Sequence, residues 1–237
     1  MMSRVSLAAL FVLGVSTIAS SAWAQERYFS VALSGSFTTA SRLFPNPSSR
    51  DIFQSSQYFP LEGFFGYGVE VRHQFSETRL ALGLSAEYIR TTMGYSKFFS
   101  TAQSVPVEDG YVAIPVELTG YFLLPVSGQA FGVFMGGGVG GYFGRRVYKL
   151  GDAEAPTTAT GHGFGIHVLG GLSYRFTEWF SINAEMKFRD LQFQTTNQFT
   201  TSPIMYHGTP ITVSLAPFDA RVETDGMIFQ LGTVFTY

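Results

Sequence analysis

Two kinds of side chain alternate along the end of the sequence, from Met227 to Tyr237. Strict alternation with a period of two predicts a β-strand whose two faces differ. At ~3.3 Å per residue and a tilt of about 45°, these residues span about 25 Å, the height of the apolar band on a membrane-spanning barrel. A strand in lipid cannot leave an edge unpaired, so its neighbours must close a barrel. One parity of the strand holds Met227, Phe229, Leu231, Thr233, Phe235 and Tyr237.

The same alternation recurs seven times upstream. It predicts an all-β fold, an eight-stranded antiparallel transmembrane β-barrel, with three tight turns alternating with four long connections. A hairpin within the longest connection, near Ile204 to Leu215, leaves a ten-stranded barrel as the alternative. The predicted strands are 28–37, 63–75, 80–88, 111–122, 130–144, 163–176, 180–189 and 227–237, and the long connections are 40–60, 91–109, 145–160 and 190–224.

Aromatic residues gather at both ends of these strands, as expected of girdles at two membrane interfaces. A soluble barrel of the lipocalin type is the alternative, but it would turn the apolar parity inward. One predicted girdle contains Phe29, Phe75, Phe122, Phe131, Phe176, Phe180 and Tyr237, and the other contains Phe37, Phe65, Tyr88, Tyr111, Phe143, Phe164 and Phe188.

Glycine recurs every fourth residue from Gly128 to Gly144, which is also the spacing of a dimerising transmembrane helix. A helix over 130–144 would reach only about 22 Å, whereas a strand would cover the membrane, so we predict a strand with these glycines toward the lumen. Residues 136–141 also fit the dinucleotide fingerprint, but neither the helix nor the acidic residue that it requires follows.

The strand from Tyr111 to Phe122 carries Ile114-Pro115 and, after five intervening residues, Tyr121-Phe122. This pattern resembles the bacterial outer-membrane β-barrel domain family, a porin-like group of eight-stranded barrels related to OmpA-type domains. The resemblance implies a Gram-negative cell envelope protein and supplies no catalytic residues. Pro115 lacks an amide donor, so we expect a bulge or a missing hydrogen bond there.

The end of the last strand resembles the insertion signal that bacterial barrels present to the barrel-assembly machinery. Its residues are Phe229, Leu231, Phe235 and Tyr237.

Residues 1–24 combine Arg4, an uncharged run and Ala22-Trp23-Ala24. This order predicts a signal peptide over 1–24, with an uncleaved anchor as the alternative, followed by a barrel domain over 25–237. We therefore expect integral localisation in the bacterial outer membrane after secretion across the inner membrane.

The amino-acid composition narrows the class of protein further. Hydrophobic residues make up 46% of the chain and charged residues only 14%, well below the ~25% of soluble domains. A net charge of −2 offers no basic face for nucleic acid, and the absence of cysteine excludes disulfides and thiolate metal sites.

The four histidines do not form a metal motif, since His162 and His167 have opposite parity on one strand. No nucleophile-elbow motif occurs. We expect no enzymatic function, no metal and no cofactor, while a triad assembled from separate strands is left open by sequence.

The positions of the strands that are predicted to face inward carry as many acidic as basic residues. Because eight strands leave an interior just wide enough for side chains, we predict that these residues plug the lumen. The predicted function is a structural or membrane-integrity role, with a small-solute diffusion porin or a surface adhesin or receptor as the alternatives. The predicted network contains Glu70, Arg72, Glu87, Glu117, Arg175, Glu185, Lys187 and Arg189.

Arg145, Arg146 and Lys149 form a basic group at the outer end of a strand. Their side chains suit fixed phosphates, so we predict contact with outer-membrane lipids, including lipopolysaccharide, with a solvated loop base as the alternative. We expect the protein to be a monomer.

Overall fold

The structure is a computed structural model that describes residues 28–76, 78–100, 103–126 and 130–237. The predicted signal peptide, Glu77 and Gly128 lie outside these residues. The elements are β1 (Phe29–Phe44), α1 (Ile52–Ser56), β2 (Phe59–Gln74), β3 (Leu80–Ser100), β4 (Gln103–Leu123), β5 (Phe131–Leu150), β6 (Ala153–Glu154), β7 (Thr157–Ala159), β8 (Gly161–Arg175), β9 (Phe180–Arg189), β10 (Leu191–Asn197), β11 (Ile204–Tyr206), β12 (Thr209–Ile211), β13 (Phe218–Thr224) and β14 (Met227–Thr236). No helix among the described residues is long and apolar enough to cross a membrane.

Eight antiparallel strands close on themselves to form the barrel. Their cyclic order is β1, β2, β3, β4, β5, β8, β9 and β14, and β14 pairs with both β9 and β1. Ser30 is opposite Thr236 and Thr38 is opposite Ile228, so the seam between the first and last strands is in continuous register. The predicted closure of the last strand on the first is confirmed. The short turns and both barrel termini lie at one end, the periplasmic end by the usual asymmetry of such barrels.

Several long connections of the sequence prediction are strands that extend beyond the membrane. β3 and β4 continue as one hairpin to Ser100 and Gln103, through the segment that was expected to be a loop. β10 and β13 extend β9 and β14 past short breaks at Asp190 and at Asp225-Gly226. The prediction of loops there was wrong, because these extensions bury apolar residues against one another.

The hairpin predicted near Ile204 to Leu215 exists, but it does not join the barrel. β11 and β12 form a separate two-stranded sheet within the external connection. The ten-stranded alternative is therefore wrong.

Pro115 interrupts the ladder between β3 and β4. Paired residues stop at Ala86 and Val116 and resume at Ile89 and Ala113 in the same register. Pro115 still lies opposite Tyr142 of β5 on the other side. Of the two expected outcomes, the structure has the missing hydrogen bond without a bulge.

The apolar positions of β5 face outward, toward lipid. Phe131, Met135, Val139 and Phe143 of β5 are all exposed, while Gly136, Gly140 and Gly144 face the lumen. Aromatic pairs lie at both ends of the barrel, as with Phe37 and Phe65, and with Phe180 and Phe235. The predicted strand orientation is thus confirmed on this strand.

Tyr111 is a correction to the predicted girdle. It lies on the inward parity of β4 and is fully buried, with its hydroxyl donating to Ser41 Oγ at 3.1 Å. It belongs to the interior of the barrel and not to its lipid-facing surface.

β10 runs beside β8, and the regular pairing of the barrel wall is found at the two ends of this stretch. The ladder from β9 ends where the Asp190 amide donates to the Ile166 carbonyl, and pairing resumes between β10 and β7 at Thr196 and Ala159. Between these points, the carbonyls of Gln192 and Gln194 lie where Cβ atoms would stand on the facing glycines. Those glycines are Gly163 and Gly161, and they let β10 approach the lumen face of β8.

We expect the replacement of Phe235 and Tyr237 by Ser to lower the yield of inserted barrel several-fold. Phe235 packs against Phe180 and Trp179, and the Tyr237 amide donates to the Phe29 carbonyl, so this end fixes the closing strand. Outer-membrane yield, measured with the heat-dependent gel shift, tests this. Phe29→Ser removes an exposed aromatic ring at the same rim and serves as the control; equal losses would mean that the closing strand has no special role.

Candidate functional site: the filled lumen

Four charged side chains from three strands meet across the lumen at mid-height, and we call Glu87, Glu117, Lys187 and Arg189 the upper charge cluster. Lys187 Nζ donates to Glu117 Oε2 at 2.9 Å, and Arg189 Nε donates to Glu117 Oε1 at 2.6 Å. Arg189 Nη2 donates to Glu87 Oε2 at 2.6 Å. Two positive and two negative groups, all nearly inaccessible to solvent, therefore neutralise one another.

Strand register places this cluster, and small residues make room for it. Glu117 lies between Ser85 of β3 and Gly140 of β5. A Cβ atom on Gly140 would be 3.0 Å from Glu117 Cγ and from the Tyr142 hydroxyl. The Ser36 hydroxyl donates to Glu87 from β1. The lumen glycines thus provide space for side chains that cross the barrel.

Glu70, Arg72 and Glu185 form the lower charge cluster on the periplasmic side. Arg72 Nη2 donates to Glu70 Oε2 at 3.0 Å and to Glu185 Oε1 at 3.5 Å. The Arg72 guanidinium also lies 3.7 Å from the centroid of the Tyr121 ring. A desolvated cation over an aromatic face is stabilised by the ring quadrupole. Tyr121 packs with Phe134 and Leu169 to form an apolar layer at the base.

A cavity of about 30 Å³ lies between the two charge clusters. Since about 10–15 Å³ of such volume suffices for one water molecule, the cavity has room for a water or two. Its walls include Glu70, Glu117, Asn183 and Lys187. The cavity is a gap between two layers of side chains.

The outer half of the lumen is filled by apolar residues, which we call the outer apolar core. Seven elements contribute to it, and its largest members are fully buried. The Phe193 ring of β10 fills the space over Gly144, where a Cβ atom would be 2.2 Å from the ring. The members are Leu43, Leu61, Phe64, Ile89, Tyr111, Ala113, Tyr142, Leu191, Phe193, Ala220 and Val222.

A buried ion pair lies above this core, outside the membrane. Arg146 forms two hydrogen bonds with the Asp109 carboxylate, at 2.7 and 2.6 Å, and its guanidinium lies 4.7 Å from the Tyr148 ring centroid. Burial raises the pKa of the Tyr148 hydroxyl. A second apolar cluster encloses this pair from above, with Val105, Val107, Tyr148, Leu150, Ala155, Phe199, Ile204 and Ile211.

The structure brings together seven of the eight predicted lumen charges. Arg175 is the exception, since it lies exposed near the periplasmic turn and outside both clusters. The other seven divide between two clusters rather than forming the single network that was expected. The expected group of Arg145, Arg146 and Lys149 is not one surface either, because Arg146 is buried inside while Arg145 is exposed outside.

A hydroxyl, an imidazole and a carboxylate also line up in the lumen. Thr119 Oγ1 is 2.8 Å from His167 Nε2, and His167 Nδ1 is 3.9 Å from Glu117 Oε1. All three side chains are buried, so no substrate reaches the hydroxyl in this state. Within the described residues, no three His, Asp or Glu side chains converge as a metal site.

Sequence reasoning missed Thr119, Tyr142 and His167 as neighbours of Glu117, and it missed the Asp109–Arg146 pair. Alternation along the strand could have predicted that Asp109 faces inward, because it shares the inward face of β4 with Glu117. The partner of each residue depends on the register between strands, which one sequence does not reveal.

The model of the outer membrane protein β-barrel domain matches residues 6–216, which is most of the chain. The chain belongs to the outer membrane protein β-barrel domain family. Family members are integral outer-membrane proteins, as this barrel's apolar wall requires. No curated protein matches the chain.

Solved outer-membrane barrels are similar to this member of the family. OprG from Pseudomonas aeruginosa has a TM-score of 0.56 and 10% identity over 90% of this chain and 97% of its own. Ail from Yersinia pestis has a TM-score of 0.44 and 12% identity over 90% of this chain and 100% of its own. The neisserial surface protein NspA has a TM-score of 0.46 and 10% identity over 88% and 97%. At these identities the likeness to OprG shows the fold alone.

We expect Arg189→Met to destabilise this outer-membrane barrel by about 3–5 kcal/mol, because the substitution leaves Glu87 and part of Glu117 buried without a positive partner. The midpoint temperature of the heat-dependent gel shift measures the loss. Arg175→Met is the matched control, since Arg175 is exposed. Adding Glu87→Gln to Arg189→Met should recover part of the loss; equal midpoints for Arg189→Met and Arg175→Met would contradict the network.

Proposed function

We propose that this protein is a sealed outer-membrane barrel with a structural, membrane-integrity role and no catalytic activity. The upper charge cluster supports this proposal most directly, since two carboxylates and two cations, each with a side chain at most 5% exposed, pair with one another across the lumen. An eight-stranded barrel has an interior that side chains alone can fill.

A second layer acts in series with this cluster, because the outer apolar core fills the external half of the lumen. Tyr121, Phe134 and Leu169 narrow the base beside the lower charge cluster, whose side chains are 10–15% exposed. An ion that crossed the lumen would have to displace paired charges and then lose its hydration among apolar side chains, which is costly. A diffusion porin therefore fits this interior poorly.

The Thr119, His167 and Glu117 arrangement does not favour an enzyme. Catalysis requires the nucleophile to touch a substrate, and all three of these side chains are buried inside the lumen. Turnover of lipid or peptide substrates by the purified barrel in detergent would contradict the non-enzymatic part of the proposal.

We expect the wild-type protein to show little or no steady conductance in planar bilayers. Because the seals act in series, Glu117→Ala or Lys187→Ala alone should mainly lower stability. Combining Glu117→Ala and Lys187→Ala with Tyr142→Gly and Phe193→Gly opens both the upper charge cluster and the outer apolar core and should produce measurable conductance.

A control with four outward substitutions, Leu118→Ala, Val139→Ala, Ile166→Ala and Leu231→Ala, keeps the lumen intact and should stay silent. Steady conductance of the wild type at the level of a porin, unchanged by Glu117→Ala, would overturn the sealed barrel in favour of a diffusion channel.

Surface contact is the second candidate, favoured by the β3–β4 hairpin. At ~3.3 Å per residue and a tilt of about 45°, the 21 residues of β4 rise about 50 Å, twice the ~25 Å apolar band. Phe98 near its tip is 75% exposed. Replacing residues 94–107 by a short turn, with adherence to host cells as the readout, tests this role; unchanged adherence of the shortened protein would count against it.

A further inference from the structure

The outward face of β3, β4 and β5 places two arginines side by side just above the external aromatic residues. Arg90 is opposite Val112, and Val112 is opposite Arg145, so the two arginines are separated by one strand. Two strand spacings put their Cα atoms about 10 Å apart. Side chains as long as arginine can converge over Val112 from that distance. We call Arg90 and Arg145 the rim pair.

The rim pair differs from the other outward arginines at this end of the barrel in its lack of firm acidic partners. Arg42 and Arg221 both pair with Glu223, at 3.4 and 2.9 Å. Arg90 lies 3.9 Å from Glu108, at the limit of an ion pair, and Glu108 is engaged more closely by Lys149 at 3.1 Å. Within the described part of the chain, Arg145 has no acidic partner. The guanidinium groups of the pair are therefore available to an anion.

The surface below the rim pair is continuously apolar. Ile114 lies beside Phe143 and directly beneath the pair. Leu118, Val139 and Ile166 form an exposed row across β4, β5 and β8, four residues lower along the strands. These residues belong to the lipid-facing wall. An amphipathic molecule lying along this surface would contact apolar side chains with its apolar part and two cations with its polar end.

We propose that the rim pair binds the phosphate of a phosphorylated glycolipid in the outer leaflet, with the acyl chains of the lipid lying on the Ile114 and Phe143 surface. Guanidinium groups recognise phosphate through paired, charge-assisted hydrogen bonds. The acyl surface supplies the apolar part of the recognition and selects a lipid over a free anion. Glu108 limits the affinity because its carboxylate lies within reach of one arginine. This site does not depend on whether the lumen conducts.

The test measures lipid retention by native mass spectrometry on the full-length protein in a maltoside detergent, which carries no phosphate. The probes are bis-phosphorylated lipid A, the same lipid after dephosphorylation, and inorganic phosphate as competitor. Arg90→Ala/Arg145→Ala should weaken retention of the phosphorylated lipid about tenfold, since two charge-assisted contacts are lost. Glu108→Gln should strengthen it about threefold by removing the competing carboxylate.

Arg79→Ala/Arg175→Ala is the matched control, because it removes two exposed arginines at the periplasmic end and makes the same change in net charge. We expect it to leave retention unchanged, and we expect dephosphorylated lipid to bind wild type as weakly as the phosphorylated lipid binds Arg90→Ala/Arg145→Ala. Equal losses in both double variants would show a general charge effect and overturn the site. Displacement by inorganic phosphate at the concentration of the lipid would overturn the assignment to a lipid.

Discussion

The interior of this barrel depends on the need to neutralise one buried carboxylate, that of Glu117. An isolated carboxylate in a low-dielectric interior is strongly unfavourable, so its charge must be matched by partners at hydrogen-bonding distance. Lys187 and Arg189 provide that match from the opposite side of the lumen, and Arg189 in turn needs Glu87. A single chain of hydrogen bonds therefore ties β3, β4 and β9 across the barrel and holds their register.

The layers on either side of this cluster follow from the same requirement. Paired charges interact more strongly where water is scarce, and the outer apolar core and the base layer both limit its access. The extracellular part repeats the arrangement on a smaller scale, with Asp109 and Arg146 enclosed by Tyr148, Phe218 and neighbouring apolar residues. The membrane barrel and its well-packed extracellular extension are thus one continuous structure.

Alternation alone predicted the barrel because it reports directly on which side chains face lipid. Phe131 and Val139 were placed outward and Glu117 and Lys187 inward for that reason, and the structure agrees. Alternation also separates Arg145 from Arg146, yet the adjacent charges were treated as one patch. The extensions were missed because Ser104, Pro106 and Glu108 make the segment polar on average, although Val105, Val107 and Asp109 keep the inward parity. Which inward charges meet depends on stagger between strands, and this information is not contained in local sequence.

Closure between β1 and β14 has a kinetic consequence. Ser30 pairs with Thr236, so the contact that completes the wall joins residues from nearly opposite ends of the chain. Contacts of such large sequence separation form late, because the entropy of closing the loop must be overcome first. Until β9 and β14 arrive, Glu87 and Glu117 lack Arg189 and Lys187, and a partly assembled wall has both unpaired strand edges and uncompensated carboxylates. Folding of this chain should therefore proceed in one cooperative step, with few stable intermediates between the unfolded chain and the closed barrel.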